Sequence, residues 1–295
     1  MILGYFFVIV STAIWSGNFI IARSLNQVIT PINLAFLRWL VAVIVILPFS
    51  LKSLIAERNI VKENLPYLSI TALLGITLFN TLIYLAGRTT TAINLSLISI
   101  TFPIFIIVLS CLFYHETVKL YKVIGIVLVI VGVILLITKG EFSKLYNLSF
   151  AIGDLWMLVA ALTFAVYSIL LRRKPKQLSL WAFQASIFIL GVIFLTPFYI
   201  VENIISPPVI INTKIIFSIL YVGIFASLTA FILWNKAIEI IGPSKAGMVY
   251  YTMPIFSGFW SYFLLKESIG MIHLYSVLLI FSGIFVSNYE LGKLK

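Results

Sequence analysis

Long apolar stretches alternate with short polar breaks along the whole chain, and this alternation predicts the secondary structure. A helix that crosses a bilayer core needs roughly 20 residues. Ten stretches approach that length: Ile2 to Ala22, Leu34 to Leu51, Tyr67 to Ala86, Ala92 to Phe113, Val123 to Ile137, Leu155 to Leu171, Leu180 to Ile200, Ile215 to Trp234, Ala246 to Leu265 and His273 to Tyr289. The pattern predicts an all-α membrane protein with ten transmembrane helices.

The second half of the chain repeats part of the first at a constant offset of 151 residues. The matching positions that punctuate the helices are Ala86 and Ala237, Pro103 and Pro254, Glu116 and Glu267, and Gly132 and Gly283. Each half holds five apolar stretches, an odd number, so the second half must enter the membrane from the opposite side. We expect two inverted five-helix repeats, residues 1–138 and 151–290, joined by a connector of residues 139–150.

Composition narrows the class of protein. Hydrophobic residues make up 62% of the chain, charged residues 10%, and the mean hydropathy is +1.16, which excludes an ordinary soluble domain. The net charge of +11 is spread over helix ends and loops, so no nucleic-acid partner is expected. We expect the first stretch to be a membrane helix and not a removable signal peptide, because no basic residue precedes it.

The basic residues also predict the topology. With the amino terminus inside, 13 Lys and Arg residues lie on the cytoplasmic face, 6 lie on the other face, and Arg38 lies within a helix. The positive-inside rule therefore predicts a multi-pass protein of the cell (inner) membrane with both termini in the cytoplasm.

Several sequence strings carry a family resemblance. They are AIWSGNFIIAR in helix one, PINLAFLRW entering helix two, GDLWMLVAALTFAVYSILLRR in helix six, and the two Pro-to-Glu segments of the repeat. Together they resemble the EamA family of the drug/metabolite transporter superfamily over nearly the whole chain. The resemblance implies a ten-helix bundle whose central cavity is lined mainly by helices one, three, four, six, eight and nine. It also implies export of small metabolites such as amino acids.

Such a carrier needs a small-molecule substrate and a lipid bilayer, and we expect no cofactor, no metal and a monomer or weak dimer. The alternative is a membrane-embedded enzyme acting on lipid-linked or apolar substrates, which would need clustered acidic ligands or a His and Glu constellation. His115 and His273 lie at distant helix ends, and the acidic residues lie in loops or caps, so we expect a carrier and no enzyme. A channel would need a ring of charge or a repeated filter loop. Proton-driven carriers usually need a carboxylate or histidine deep inside the membrane. Because these residues lie at helix ends, in loops or in caps here, the sequence predicts facilitated exchange of the solute, or coupling through water and backbone groups.

Arg38 is the charged side chain placed deep in a predicted helix, at a cost of roughly 2.5–3.5 kcal/mol unless it is paired or hydrated. It must face protein or water, and two roles stay open. A guanidinium fork is suited to anchoring a substrate carboxylate. A structural arginine bonded to helix carbonyls is the other role, slightly favoured because helix two does not usually line the cavity in the family that this chain resembles.

Polar stripes on helices one and three supply further binding candidates. Trp15 and Asn18 share one face of helix one, and Asn80 and Tyr84 share one face of helix three. Tyr167, in the middle of helix six, is expected to be an aromatic residue of the cavity.

The repeat adds candidates in helices four and nine. Ser96 and Ser99 lie on one face of helix four, and Tyr250 lies on the matching face of helix nine. Pro103 and Pro254 each remove a backbone hydrogen bond and are expected to kink the two helices, either as hinges for a rocking motion or as static bends.

Small and acidic residues at helix contacts predict structural roles. Gly125 and Gly132 in helix five, matched by Ser276 and Gly283 in helix ten, are expected to allow close helix packing in lipid. Glu116 and Glu267, which follow helices four and nine, and Asp154, at the start of helix six, are expected to support the amino termini of the helices beside them.

Overall fold

The computed structural model describes residues 1–25, 28–206, 212–265 and 270–288, and within these ranges the chain consists of helices joined by short connections. The main helices are α1 (Ile2–Leu25), α2 (Pro31–Ala56), α3 (Leu65–Thr89), α4 (Ala92–Ser99 and Thr101–Tyr114), α5 (Leu120–Thr138), α6 (Ile152–Leu170, extended by the 3₁₀ turn Leu171–Arg173), α7 (Leu180–Ile205), α8 (Thr213–Tyr221, Val222–Thr229 and Ala230–Ile241), α9 (Pro243–Tyr250 and Met253–Leu265) and α10 (Met271–Asn288). Short helices lie at Arg58–Glu63 and Ser143–Tyr146. The predicted all-α fold with ten principal helices is confirmed.

Eight of the described helices are long and apolar enough to cross a membrane, and α1 contributes a shorter apolar stretch, Ile2–Asn18. Several helices extend beyond their predicted ends. Helix α7 continues past Ile200 to Ile205, and α8 continues past Trp234 to Ile241. Polar residues placed in loops by the sequence, such as Glu202, therefore belong to helix ends.

The helix contacts are reciprocal between the two halves. Helix α1 packs against α8 and α9, and correspondingly α6 packs against α3 and α4. Helix α2 contacts α8, and α7 contacts α3, while α2 pairs with α7 and α5 pairs with α10. The equivalent helices α5 and α10 run in opposite directions, because Gly125 lies against Gly283 and Ser287 whereas Gly132 lies against Ile280, as expected of two five-helix units of opposite orientation.

Helices α5 and α10 approach each other closely at two glycines. A Cβ atom on Gly125 would lie 2.5 Å from the carbonyl oxygen of Gly283, and a Cβ on Gly283 would lie 2.5 Å from the carbonyl oxygen of Gly125. Gly132 lies similarly close to Ile280, at 2.9 Å from its Cγ1. The predicted tight packing of this pair is confirmed, and it depends on the absence of side chains at the crossing.

Helices α4 and α9 are both interrupted ahead of a proline. The first segment of α4 ends at Ser99, four residues before Pro103, and the first segment of α9 ends at Tyr250, four residues before Pro254. A proline has no N–H for the carbonyl four residues earlier and its ring clashes with that carbonyl, so the helix ends there. These interruptions lie at the places where the sequence predicted bends. They contact each other, since the Tyr251 hydroxyl donates a hydrogen bond of 2.9 Å to the carbonyl oxygen of Ile100.

Helices α2 and α7 are antiparallel, and each supplies a carboxylate to the amino terminus of the other. Glu202 of α7 accepts hydrogen bonds from the backbone N–H of Asn33 (2.8 Å), the Asn33 amide (2.9 Å) and the Thr30 hydroxyl (2.5 Å). At the opposite end, Glu57 accepts a bond of 2.8 Å from the backbone N–H of Ser179. Negative charge at a helix amino terminus is stabilising, so both contacts fix the α2–α7 pair.

We expect Glu202→Ala to lower the stability of the fold by about 2 kcal/mol, because it removes three hydrogen bonds to one charged acceptor. The measurement is thermal unfolding of purified protein in detergent. The matched control is Glu63→Ala in the short helix Arg58–Glu63, where the side chain is exposed. Equal shifts in the two variants would contradict this role for Glu202.

Asp154 and Glu116 were both predicted to support a helix amino terminus, and only Asp154 does so among the described residues. Asp154 accepts a hydrogen bond of 2.8 Å from the backbone N–H of Ala151 at the start of α6, as predicted, and also binds Thr90 and Asn94. The prediction for Glu116 is wrong: α5 begins at Leu120 with no side-chain cap, and Glu116 instead pairs with Arg172 at 2.6 Å. Its repeat mate Glu267 lies outside the described residues.

Candidate functional site

Aromatic side chains from six helices meet in the middle of the bundle. We call them the aromatic cluster: Trp15 of α1, Phe79 of α3, Phe102 of α4, Phe164 and Tyr167 of α6, Phe231 and Trp234 of α8, and Tyr250 of α9. These are the six helices that the family resemblance implies around the cavity. Three predicted residues, Trp15, Tyr167 and Tyr250, belong to the cluster.

Phe164 lies at the centre of the aromatic cluster and is fully buried. Its ring centroid is 4.2 Å from that of Phe79, 4.7 Å from Phe102 and 5.6 Å from Trp15. Trp15 is fixed by a 2.9 Å hydrogen bond from its indole N–H to the carbonyl oxygen of Ala226. Rings from both halves of the chain therefore pack together in the buried centre of the fold.

A second group, the arginine cluster, consists of Arg38, Asn80, Tyr84 and Ser227. Arg38 Nε donates to Ser227 Oγ at 2.7 Å, and Nη1 donates to Asn80 Oδ1 at 2.8 Å and to the Tyr84 hydroxyl oxygen at 2.5 Å. All four residues are buried, and Arg38 has 0% exposure. The structure thus brings three predicted residues from α2 and α3 together with one residue from α8.

The local backbone explains how Ser227 reaches Arg38. The segment Val222–Thr229 of α8 is a π-helical turn, and the Ser227 hydroxyl donates to the carbonyl oxygen of Val222, five residues earlier, at 2.9 Å. Because the Ser227 hydroxyl proton is used in this bond, the Ser227 oxygen accepts the hydrogen bond from Arg38 Nε. Helix α3 has a π-helical turn at the corresponding place, Leu73–Leu78. Such turns often occur at functional sites.

The structure corrects the helix-carbonyl role considered for Arg38. Its three hydrogen bonds all go to side chains, and Arg38 forms no ion pair with a described residue. Two donors of the cluster, Arg38 Nη2 and Asn80 Nδ2, have no partner among the described residues, and the adjacent Trp39 Nε1 has none either. Among the described residues, the cluster therefore holds a positive charge and unsatisfied donors and includes no anionic side chain.

A third group, the amide cluster, lies on the other side of the rings. The Tyr167 hydroxyl donates to Asn235 Oδ1 at 2.8 Å, and Asn235 Nδ2 donates to Gln184 Oε1 at 2.6 Å. Along the helix axes, Arg38 lies about 10 Å from the start of α2 and Gln184 lies about 6 Å from the start of α7. Because α2 and α7 are antiparallel, these two starts lie at opposite ends of the bundle. The arginine and amide clusters consequently flank the aromatic cluster at opposite depths.

The other predicted binding residues are not joined to these clusters by any described hydrogen bond or ring contact. Asn18 is buried on α1, and its Oδ1 has no partner among the described residues. Ser99 donates to the carbonyl oxygen of Ser96 at 2.6 Å, a bond within its own helix, and both serines are half-buried. A back-bonded serine is a weak ligand candidate.

A cleft of about 490 Å³ opens at the end of the bundle where α7 begins. Its lining comes from the ends of α6 and α8 and from the connections that follow α4, α6 and α8: Glu116, Leu171, Arg172, Lys174, Lys176, Ile238, Glu239, Ile240, Ile241 and Gly242. Arg172 bridges two of these connections, because it pairs with Glu116 and its Cζ lies 4.3 Å from the ring of Tyr114. The amide cluster lies nearest to this cleft.

Sequence reasoning did not identify Ser227, Gln184, Phe164 or Phe231. Gln184 carried a usable signal, since it is an amide inside the apolar string LWAFQASIFIL. Ser227 carried little, because single serines commonly bond to their own helix and the π-helical turn has no sequence signature.

Comparisons with known proteins agree with this architecture. The sequence model of the EamA-like transporter family matches residues 2–138 and again residues 151–289. An uncharacterized transporter of Archaeoglobus fulgidus is 28% identical over 257 residues, which cover 86% of this chain and 86% of that protein. An uncharacterized transporter of Clostridium kluyveri is 22% identical over 296 residues, covering 98% and 94%. A crystal structure of another protein superimposes with a TM-score of 0.77 at 16% identity, over 97% of this chain and 96% of that one, and shares the fold.

Proposed function

Because this chain belongs to the EamA-like transporter family, we propose that it is a secondary transporter that exports small metabolites such as amino acids by alternating access. The chain is a multi-pass membrane protein of a transporter family, and its substrate and direction are the proposed parts. The observation that carries the proposal is the aromatic cluster, whose rings from both halves are packed and buried between two buried polar clusters. In a carrier with its site between the halves, binding from one side and release to the other require this cluster to move.

The broken helices offer a way to move it. Phe102 lies one residue before Pro103, and Tyr250 is the last residue before the break in α9, so both interruptions hold members of the aromatic cluster. Bending at these two places shifts one ring from each half. We propose that Pro103 and Pro254 act as hinges for this motion.

The charge distribution supports an orientation. With both termini in the cytoplasm, the cleft lies at the cytoplasmic face and the arginine cluster lies in the outer half of the membrane. The amino terminus lies at the same end of the bundle as the cleft, because a Cβ on Gly4 would lie 2.6 Å from Cγ2 of Ile241, which lines the cleft. In this orientation, a solute leaving the cell passes the amide cluster first, then the aromatic cluster, and then the arginine cluster.

We propose that flux is facilitated exchange and not proton-driven. The carboxylates of Glu57, Glu202 and Asp154 bind helix termini, and Glu116 is paired with Arg172 near the cleft. A carboxylate committed to a helix terminus serves structure, and it is a poor carrier of a transported proton.

Counterflow tests the proposed function. Proteoliposomes loaded with an unlabelled amino-acid mixture are expected to accumulate labelled external amino acids, with saturable kinetics and with stimulation by the internal pool. Protein-free liposomes are the control. Flux that does not saturate and ignores the internal pool would indicate a channel, and a pH gradient that drives accumulation would contradict simple exchange.

A further inference from the structure

We propose that the arginine cluster binds the carboxylate of the transported solute and that the aromatic cluster receives its apolar body. This rests on the proposed transport function and adds the substrate class: a small organic monocarboxylate. The site is formed by Arg38, Asn80, Tyr84 and Ser227, all of which lie within the described part of the chain.

The first argument is the count of donors. Arg38 uses two of its three nitrogens on neutral oxygens, which leaves Nη2 without a partner, and Asn80 Nδ2 is also unpaired within the described residues. Leaving a buried donor unsatisfied costs about 1–3 kcal/mol. Both unmet groups are donors, so the missing partner is an acceptor. A protonated amine offers only donors and does not complement them.

The second argument is charge. A fully buried guanidinium without a counter-ion is costly, and one carboxylate would neutralise it. A phosphate dianion would leave an excess negative charge in the same place. A carboxylate also has two oxygens, one for each of the two unpaired donors, Arg38 Nη2 and Asn80 Nδ2. Charge balance at the arginine cluster therefore favours a single carboxylate group on the solute.

The third argument is continuity with the aromatic cluster. Arg38 Cζ is 5.3 Å from the ring centroid of Trp39, and the Trp39 centroid is 4.9 Å from that of Phe231, a member of the aromatic cluster. On the other side, Ser227 follows Ala226, which accepts the indole hydrogen bond of Trp15. A solute whose carboxylate meets Arg38 thus has aromatic surface next to its other end.

The site is closed in this structure, since Arg38 has 0% exposure. A ligand that reaches it must displace rings, and the interruptions in α4 and α9 lie beside those rings. Binding at the arginine cluster is therefore coupled to the bending that alternating access requires.

Three probes that share a phenyl group test the substrate class: 3-phenylpropionate, L-phenylalanine and 2-phenylethylamine. Isothermal titration calorimetry of purified protein is expected to show binding of the two carboxylates and at least about tenfold weaker binding of the amine, the factor that corresponds to one charge-assisted hydrogen bond. Amine binding as tight as that of the carboxylates, or no binding of either carboxylate, would overturn the proposal.

Asn80→Asp is the sharpest variant, because it places a carboxylate where Asn80 Oδ1 now lies, 2.8 Å from Arg38 Nη1. The new acid neutralises Arg38 internally, so we expect a folded protein with at least about tenfold weaker carboxylate binding. Asn147→Asp, at an exposed position of the connector, is the matched control with unchanged binding. Arg38→Gln is expected to lose the same binding. Unchanged affinity in folded Asn80→Asp protein would overturn the proposal.

The two proposals fail separately. Counterflow of amino acids that is unchanged in Asn80→Asp and Arg38→Gln protein would remove the carboxylate site at the arginine cluster and leave the carrier. Carboxylate binding that depends on Arg38, without counterflow of any probe, would keep the site and remove the transport function.

Discussion

Gly283→Ala is expected to lower the free energy of unfolding by about 2–3 kcal/mol, at the upper end of the range for overpacking. The added Cβ would lie 2.5 Å from the carbonyl oxygen of Gly125, 2.7 Å from Val129 Cγ2 and 2.8 Å from the Val129 backbone nitrogen. Two of these atoms belong to the backbone of α5 and have no rotamer with which to move away. The helices must separate, and the whole α5–α10 contact weakens with them.

The measurement is unfolding of purified protein in mixed micelles of rising SDS fraction. Gly125→Ala is expected to behave similarly, because its Cβ meets backbone atoms of Gly283 and Ser287. Gly258→Ala in α9 is the matched control, since a Cβ there has no atom within 4 Å. A loss of stability at Gly258 equal to that at Gly283 would show that the close crossing is not the cause.

The double variant Pro103→Ala, Pro254→Ala is expected to reduce the counterflow rate at least about tenfold while leaving the protein folded. Alanine restores an N–H to each position, so the carbonyl oxygens of Ser99 and Tyr250 regain helical partners. Two restored hydrogen bonds, at about 0.5–1.5 kcal/mol each, oppose bending by about 1–3 kcal/mol, and a tenfold change in rate corresponds to about 1.4 kcal/mol.

The matched control is the double variant Pro48→Ala, Pro197→Ala. These prolines lie inside α2 and α7, on exposed positions of helices that continue without interruption. Their replacement is expected to leave counterflow within about twofold of the unmodified rate, since no restored bond opposes a moving break. Equal losses in the two double variants, or no loss in the first, would remove the hinge role from Pro103 and Pro254.

The proline pairs show what the sequence could and could not predict about the fold. Apolar length and the 151-residue offset predicted ten helices, because a bilayer fixes the length of a helix that crosses it. Four prolines lie within principal helices in symmetric positions, yet only Pro103 and Pro254 follow an interruption. Which prolines interrupt a helix depends on the packing around it. The sequence likewise did not predict the π-helical turns of α3 and α8.

The candidate site was predictable residue by residue and not as an assembly. The cost of a charge in lipid singled out Arg38, and the polar stripe of α3 singled out Asn80 and Tyr84. Their meeting required the approach of α2, α3 and α8, which no local pattern encodes. Ser96 and Ser99 fitted the repeat equally well, but their helix satisfies Ser99 internally.

The hydrogen bond from Tyr251 to Ile100 joins two positions that the repeat makes equivalent, 151 residues apart. A carrier that reverses by exchanging the conformations of its halves would need the reciprocal bond, from the side chain at position 100 to the backbone at position 251. Isoleucine has no hydroxyl to provide it. At about 0.5–1.5 kcal/mol, the unreciprocated bond would give such a carrier, when unloaded, a resting preference of roughly 2- to 13-fold for one orientation. The apparent affinity for the solute would then differ between the two sides of the membrane, even though the architecture is nearly symmetric.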